Sequence, residues 1–260
     1  MAANKGILLV GAGNLATSLG VALAAAGMPP VAVWSRSREA AMELGKKTGT
    51  FSSCCFGELP PADVVIISVA DNALESVARE VVEHYPKALV AHTAGSVDAD
   101  VLRKAGAGEY GVFYPMQTFS KQRIADFSRI TTFVEGSSES VVSRLEQIAA
   151  GIGSRSVRAC SEQRKFLHIA AVFACNFTNA AYSMAAELLE AKGLPFEAML
   201  PLLEETAEKV HHIHPFDAQT GPASRGDDTI MNAHMEMLDG RLKEIYALMS
   251  DYITSKRKDK

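Results

Sequence analysis

The sequence has few of the features that mark secreted, membrane or nucleic-acid-binding proteins. Its four cysteines form no C-x-x-C pair, and sparse cysteine in a chain of 260 residues is typical of reduced cytosolic proteins. No stretch reaches the roughly 18 uncharged apolar residues that span a bilayer, and the first apolar run begins too early to leave room for a signal peptide. The net charge of −4 attracts neither nucleic acid nor anionic lipid. We therefore expect a cytoplasmic protein that binds neither membranes nor nucleic acid.

The first half of the sequence alternates short apolar runs with helical stretches. Its runs are rich in β-branched residues and are apolar on both faces, as in parallel sheets that are covered by helices. The pattern predicts an α/β fold with a doubly wound parallel sheet. The predicted strands are Gly6–Val10, Val31–Trp34, Asp63–Val69, Ala88–His92, Gly111–Tyr114, Thr131–Val134 and Arg155–Ala159.

The pattern changes near Ser161, beyond which no strand is predicted. We predict that residues 1–157 form the α/β domain and that residues 158–260 form an all-helical domain for substrate binding and dimerisation. A long apolar helix offers more surface than one small domain covers, which favours a homodimer. The predicted long helices are Gln163–Lys192, Pro195–His212 and Thr229–Ser255.

A glycine-rich segment, Gly11–Ala16, reads G-x-G-x-x-A between the first predicted strand and the first helix. Such glycines allow a tight turn and let the backbone approach a pyrophosphate, while the helix N-terminus offers free N–H groups. A glycine turn without a ligand is the alternative, but the βαβ setting favours a dinucleotide. We predict that Gly11, Gly13, Asn14 and Leu15 bind the cofactor.

The second predicted strand ends in Ser35, Arg36 and Ser37, where a NAD site carries an acidic residue for the ribose hydroxyls. Two hydroxyls around a guanidinium suit a 2′-phosphate instead, so we predict NADP(H). The alternative is that Arg36 is a surface arginine beside Arg38. Further cofactor contacts are expected at the carboxyl ends of the next strands. These residues are Val69, Ala70, Thr93 and Ala94.

These motifs resemble those of the pyrroline-5-carboxylate reductases and the wider 6-phosphogluconate-dehydrogenase-like group. More specifically, four ordered segments resemble a family that joins a Rossmann-like domain to a helical domain of unknown function, DUF2520. The resemblance implies a two-domain, NADP-dependent oxidoreductase that dimerises through its helical half; some relatives resemble ketopantoate reductases in role. The segments are His92–Ser96, Phe113–Phe119, Ala170–Asn179, and Thr220–Pro222 with Arg225–Asp227.

Four polar residues follow one face of the first long predicted helix. At 100° per residue, Lys165, Asn176 and Asn179 lie within about 80° of His168. This stripe either lines an active site or forms hydrogen bonds inside a helical core or dimer interface. Related hydroxyacid dehydrogenases carry Lys followed by Asn at helical spacing, whereas His168 follows Lys165 here. We predict His168 as the proton donor, because an imidazole ordinarily titrates near pH 6.5, with Lys165 as the competitor and Asn179 orienting the substrate.

Substrate-binding candidates lie in two loops and on the helices. Arg225 suits bidentate binding of a carboxylate, and Asp227 either joins it or caps the following helix. We also expect His234, Asn176 and Gln117 at the substrate. Neighbouring histidines at positions 211 and 212 point to different sides of a helix, so we assign no metal site.

Together these features predict an NADP-dependent oxidoreductase that reduces a C=O or C=N bond of a small carboxylate-bearing metabolite. A 2-oxo acid such as ketopantoate and a cyclic imine are the candidate substrates. The alternative is a non-catalytic NADP(H)-binding sensor or scaffold that dimerises through its helical domain. A cleft lined by polar side chains favours the enzyme, and a cleft filled with apolar side chains favours the sensor.

Overall fold

A computed structural model describes residues 6–258 of the chain. The chain divides into two compact units, residues 1–176 and residues 177–260. The division lies 19 residues beyond the boundary at 157 that the sequence pattern predicts. The added segment is helical and bonds to the sheet of the first unit, so it belongs to that unit although it follows the last strand.

The first unit is built on one eight-stranded sheet. Its strands are β1 Ile7–Val10, β2 Ala32–Trp34, β3 Phe51–Ser53, β4 Val64–Ile67, β5 Leu89–His92, β6 Glu109–Pro115, β7 Thr131–Gly136 and β8 Arg155–Arg158. They lie side by side in the order β3-β2-β1-β4-β5-β6-β7-β8. The first six strands of the chain, β1 to β6, all run parallel. β7 runs antiparallel to β6, and β8 runs parallel to β7. The sheet is therefore mostly parallel, which confirms the α/β class and adds two reversed strands at one edge.

Helices cover both faces of this sheet. The central strands alternate their buried side chains between two apolar clusters, with Leu9 and Ile66 on one face and Leu8 and Val65 on the other. Burial on both faces explains why the strands are continuous apolar runs. The helices of this unit are α1 Asn14–Ala25, α2 Arg38–Thr48, α3 Leu74–His84, α4 Asp100–Lys104, α5 Glu139–Gly151 and α6 Ser161–Ala171, with 3₁₀ turns at Phe56–Glu58, Asp71–Ala73 and Phe127–Arg129.

A buried arginine bonds α6 to the sheet. Arg164 is fully buried and donates to the Glu135 carboxylate of β7 and to the Val97 carbonyl, in the loop after β5. Ser161 donates to the same carboxylate at 2.8 Å. Because a buried guanidinium is stable only when it is paired and hydrogen-bonded, this network fixes the position of α6 on the sheet.

The second unit consists of helices, and among its described side chains only Ala223 is buried. The helix predicted for Thr229–Ser255 is two helices, since the chain leaves the helical conformation at Leu238 and re-enters it at Gly240, which has a positive φ. No described helix of either unit is both long enough and apolar enough to cross a membrane. The helices are α7 Thr178–Glu190, α8 Leu200–Lys209, α9 Pro215–Ala218, α10 Pro222–Arg225, α11 Asp228–Met237 and α12 Gly240–Lys258, with a 3₁₀ turn at Phe196–Met199.

Candidate functional site

A cleft of about 480 Å³ opens at the carboxyl ends of the parallel strands, within the first unit. In open α/β sheets this edge is where ligands bind. Ten of the eleven predicted cofactor-binding residues line the cleft, and Ser37 does not. The ten are Gly11, Gly13, Asn14, Leu15, Ser35, Arg36, Val69, Ala70, Thr93 and Ala94.

The glycine loop between β1 and α1 forms the floor of the cleft. Gly11 has φ +121°, and a side chain there would overlap the Ser68 carbonyl. A Cβ at Gly13 would meet nothing within 4 Å, so the backbone is open to a ligand at that point. No side chain caps the N-terminus of α1 and no acidic residue lies in its first turn. The loop therefore leaves free N–H groups and a positive helix end for an anion.

The end of β2 provides the cleft with a cation. Arg36 is exposed and lines the cleft beside Ser35. Ser37 lies outside the lining because it caps α2, with its Oγ accepting from the Ala40 N–H at 3.2 Å. Capping is the common role of serine at this position.

The loop after β5 lines the far side of the cleft and is held by a buried histidine. His92 is fully buried, and its Nδ1 accepts from the Ala94 N–H at 3.2 Å. Burial is the main cause that lowers the pKa of His92 to about 4, and the positive charge of Arg164 is the second cause. The ring is therefore neutral in the physiological range, which keeps Nδ1 available as an acceptor.

Two aromatic side chains meet beyond this loop. Tyr114, at the end of β6, places its hydroxyl 3.3 Å from Nδ1 of His168 on α6, and both residues line the cleft. Burial raises the pKa of the Tyr114 hydroxyl. Asp71 also lines the cleft, and its carboxylate accepts from the Ser96 hydroxyl at 2.5 Å.

Lys165 does not join His168 in the cleft lining, and the other two residues of the predicted stripe lie farther along the chain. The Lys165 ammonium donates to the Asp98 carboxylate at 2.8 Å, and this bond lowers the pKa of Asp98. Asn176 is exposed at the end of the first unit, and Asn179 belongs to the second. The angles predicted for the stripe assume an unbroken α-helix and were wrong beyond Ala171. A π-helical turn follows at Val172–Phe177, where i→i+5 bonds change the rotation per residue.

The predicted substrate-binding residues belong to both units. Gln117 lies in a neighbouring cleft of the first unit, where its side chain accepts from the Thr118 N–H. In the second unit, Asp227 caps α11 through the Ile230 N–H, which is the second of its two expected roles. His234 shares a 2.9 Å hydrogen bond with the Tyr246 hydroxyl, and Arg225 is exposed at the end of α10. Their roles toward a substrate remain predictions.

Sequence reasoning missed several lining residues. Trp34, Ser68 and Tyr114 all lie at or just after the carboxyl end of a parallel strand. The position of each strand end was a usable signal, since ligands of open α/β sheets bind at that edge. Among residues 6–258, no three His, Cys, Asp or Glu side chains come close enough together to hold a metal ion.

Two family profiles match the chain. Residues 6–95 match the family described as NADP oxidoreductase, coenzyme F420-dependent, and residues 130–253 match the domain of unknown function DUF2520. No curated protein matches the sequence.

Solved structures extend the comparison. The proposed NADP oxidoreductase BF3122 from Bacteroides fragilis is 46% identical, with 97% of this chain and 98% of that chain covered and a TM-score of 0.90. A pyrroline-5-carboxylate reductase from Coxiella burnetii (18% identity, 98% of both chains, TM-score 0.63) shares the fold. So does an imine reductase from Myxococcus stipitatus in complex with NADP+ (16% identity, 97% and 93% covered, TM-score 0.68). These matches confirm the predicted resemblance: the chain belongs to the family of NADP oxidoreductases that joins a Rossmann domain to a DUF2520 domain.

Proposed function

We propose that the protein is an NADPH-dependent reductase that reduces a C=O or C=N bond of a small carboxylate-bearing metabolite. The observation that carries the proposal is that one cleft contains both the open glycine loop and the imidazole of His168. Similarity of fold to a pyrroline-5-carboxylate reductase and an imine reductase supports reduction of a double bond. Oxo acids such as ketopantoate and cyclic imines are the candidate substrates.

The residues of the cleft fit NADP(H). The open face of Gly13 and the uncapped α1 N-terminus suit the pyrophosphate. Arg36, beside Ser35, suits the 2′-phosphate. Val69, Ala70, Thr93 and Ala94 continue the lining toward His168. When bound, the nicotinamide supplies the hydride, and the protein orients the two reactants.

The protein must then supply a proton. Hydride addition to C=O leaves negative charge on oxygen, which a positioned acid neutralises. His168 faces the cleft, whereas Lys165 is paired with Asp98 and is not among the lining residues. We therefore assign the acid to His168. The polar side chains of Tyr114 and Asp71 at this end of the cleft favour an enzyme over a cofactor-binding sensor.

We further propose that the helical unit is covered by a second copy of the chain. Many large apolar side chains in this unit are exposed, among them Leu202 (60%), Met237 (77%) and Leu248 (71%). A unit that buries almost none of its own apolar side chains needs further surface to stabilise it.

Arg225 of this unit remains our candidate for the substrate carboxylate. The four cysteines are free thiols, which supports the cytoplasmic location that we propose.

A screen of NADPH oxidation tests the proposal. Full-length protein is mixed with NADPH and, in separate reactions, with pyruvate, ketopantoate, 1-pyrroline-2-carboxylate and 1-pyrroline-5-carboxylate. We expect consumption of NADPH with one of these compounds and a large loss of that activity in the His168→Ala variant. Tight binding of NADPH without turnover of any 2-oxo acid or imine would contradict the reductase and favour the sensor.

A further inference from the structure

Tyr114 is poised to hold the imidazole of His168. The tyrosine hydroxyl lies 3.3 Å from Nδ1, and the two rings meet edge to face with centroids 6.3 Å apart. Only 8% of Tyr114 is exposed, so its ring is fixed by the packing around β6, where it contacts Phe133. The buried tyrosine can therefore set the orientation of the half-buried His168 ring.

The absence of a side chain at position 95 makes room for this contact. A Cβ on Gly95 would lie 2.7 Å from Cζ of Tyr114 and 2.8 Å from Nδ1 of His168. Gly95 is buried and its φ is not positive, so steric space and not backbone conformation requires glycine here. Three separate segments therefore fit together around one hydrogen bond.

The Tyr114 hydroxyl can serve either protonation state of the imidazole. Burial raises the pKa of Tyr114, so the hydroxyl keeps its proton and can donate to Nδ1 of a neutral ring. When the ring is protonated, the same oxygen accepts from Nδ1–H. Nε2 carries a proton in the imidazolium and in the neutral ring whose Nδ1 accepts from the tyrosine. In the neutral ring that donates Nδ1–H to the tyrosine, Nε2 is unprotonated and can take up a proton.

Resting on the function proposed above, we propose that Tyr114 is a positioning residue whose hydroxyl holds Nδ1 of His168, which leaves Nε2 as the nitrogen that delivers the proton. Tyr114 acts only through the imidazole. The proton moves from Nε2 of the imidazolium to the substrate atom that has become negative, and Nδ1–H remains bonded to the tyrosine oxygen. The imidazole is neutral afterwards and takes its next proton from water.

The hydrogen bond itself is tested by NMR of the full-length protein labelled with [¹⁵N]histidine. The His168 signals are identified by their loss in His168→Gln. Tyr114→Phe removes one oxygen, and Tyr110→Phe is the matched control, because Tyr110 lies on the same strand and face but outside the cleft lining. We expect the Nδ1 signal of His168 to shift toward that of a free imidazole in Tyr114→Phe and to stay unchanged in Tyr110→Phe. An unchanged signal in Tyr114→Phe would overturn the proposal.

Should Tyr114→Phe fail to fold, Gly95→Ala provides the same test, since its Cβ would separate the two rings. It should shift the same Nδ1 signal, and an unshifted signal would overturn the proposal.

Activity distinguishes positioning from a structural role. With ketopantoate or 1-pyrroline-5-carboxylate as substrate, Tyr114→Phe should lower kcat about tenfold without changing the KM for NADPH, and should lower it no further in the His168→Gln background. If Tyr114→Phe lowered kcat by the same factor in the His168→Gln background as in the wild type, Tyr114 would act independently of His168, and the proposal would be overturned. Absence of turnover in the wild type would contradict the proposed function instead, and the NMR result would still decide whether Tyr114 holds His168.

Discussion

Removing the Glu135 carboxylate should destabilise the first unit strongly. Arg164 is fully buried, and Glu135 is its one carboxylate partner among the described residues. In Glu135→Ala the hydrogen bonds from Arg164 to Val97 and Ser161 remain, but the buried charge loses its counter-charge. Breaking a buried pair in this way costs about 3–5 kcal/mol. Because 23% of the Glu135 side chain is exposed, we expect about 3 kcal/mol, or a Tm lower by about 6–12 °C.

The single tryptophan makes the assay specific. Trp34 lies in β2 and stacks on Phe56 in the core of the first unit, so its fluorescence reports the unfolding of that unit. Glu139→Ala is the control, because Glu139 pairs with Arg158 at the surface, where 75% of its side chain is exposed. Surface pairs contribute little, so the control should leave Tm nearly unchanged. An equal decrease in Tm in the two variants would refute the argument that burial makes the pair of Arg164 and Glu135 more stabilising than a surface pair.

The remaining predictions concern pH, the acid and the assembly. His92, with its lowered pKa of about 4, binds fewer protons in the folded protein than in the unfolded chain between about pH 6.5 and pH 4. The free energy of unfolding should therefore fall as the pH drops through this window, and urea titrations of His92→Gln should show a smaller fall. His168→Ala should lower kcat by about 10²–10³-fold while calorimetry finds NADPH affinity nearly unchanged; a silent His168→Ala beside an inactive Lys165→Ala would assign the acid to Lys165. Light scattering at micromolar concentration should give a dimer, and a monomer would contradict the proposed covering of the helical unit.

The fold was largely predictable because each central strand is an apolar run buried on both faces. The sequence pattern did not predict β3, Phe51–Ser53, because only one of its three residues is buried and no apolar run marks it. Nor did it predict that β7 is antiparallel to β6, since strand direction depends on how the connecting chain returns to the sheet. Gly240 within the last predicted helix was a signal of the break that the apolar periodicity obscured.

The site was predictable where it follows directly from a strand. Gly11–Leu15 and Ser35-Arg36 line the cleft because they continue β1 and β2. The contact between Tyr114 and His168 joins residues 54 positions apart, and it depends on the buried Arg164 network that places α6. No local pattern contains that information.

Calorimetric titration of the full-length protein with NADPH and NADH tests the central claim most directly. We predict that NADPH binds at least about tenfold more tightly than NADH, a difference of about 1.4 kcal/mol. Arg36→Ala should lose this preference because Arg36 lines the cleft, whereas Arg38→Ala should keep it because Arg38 lies outside the lining. Equal affinities in the wild type, or a preference that survives Arg36→Ala, would contradict the account.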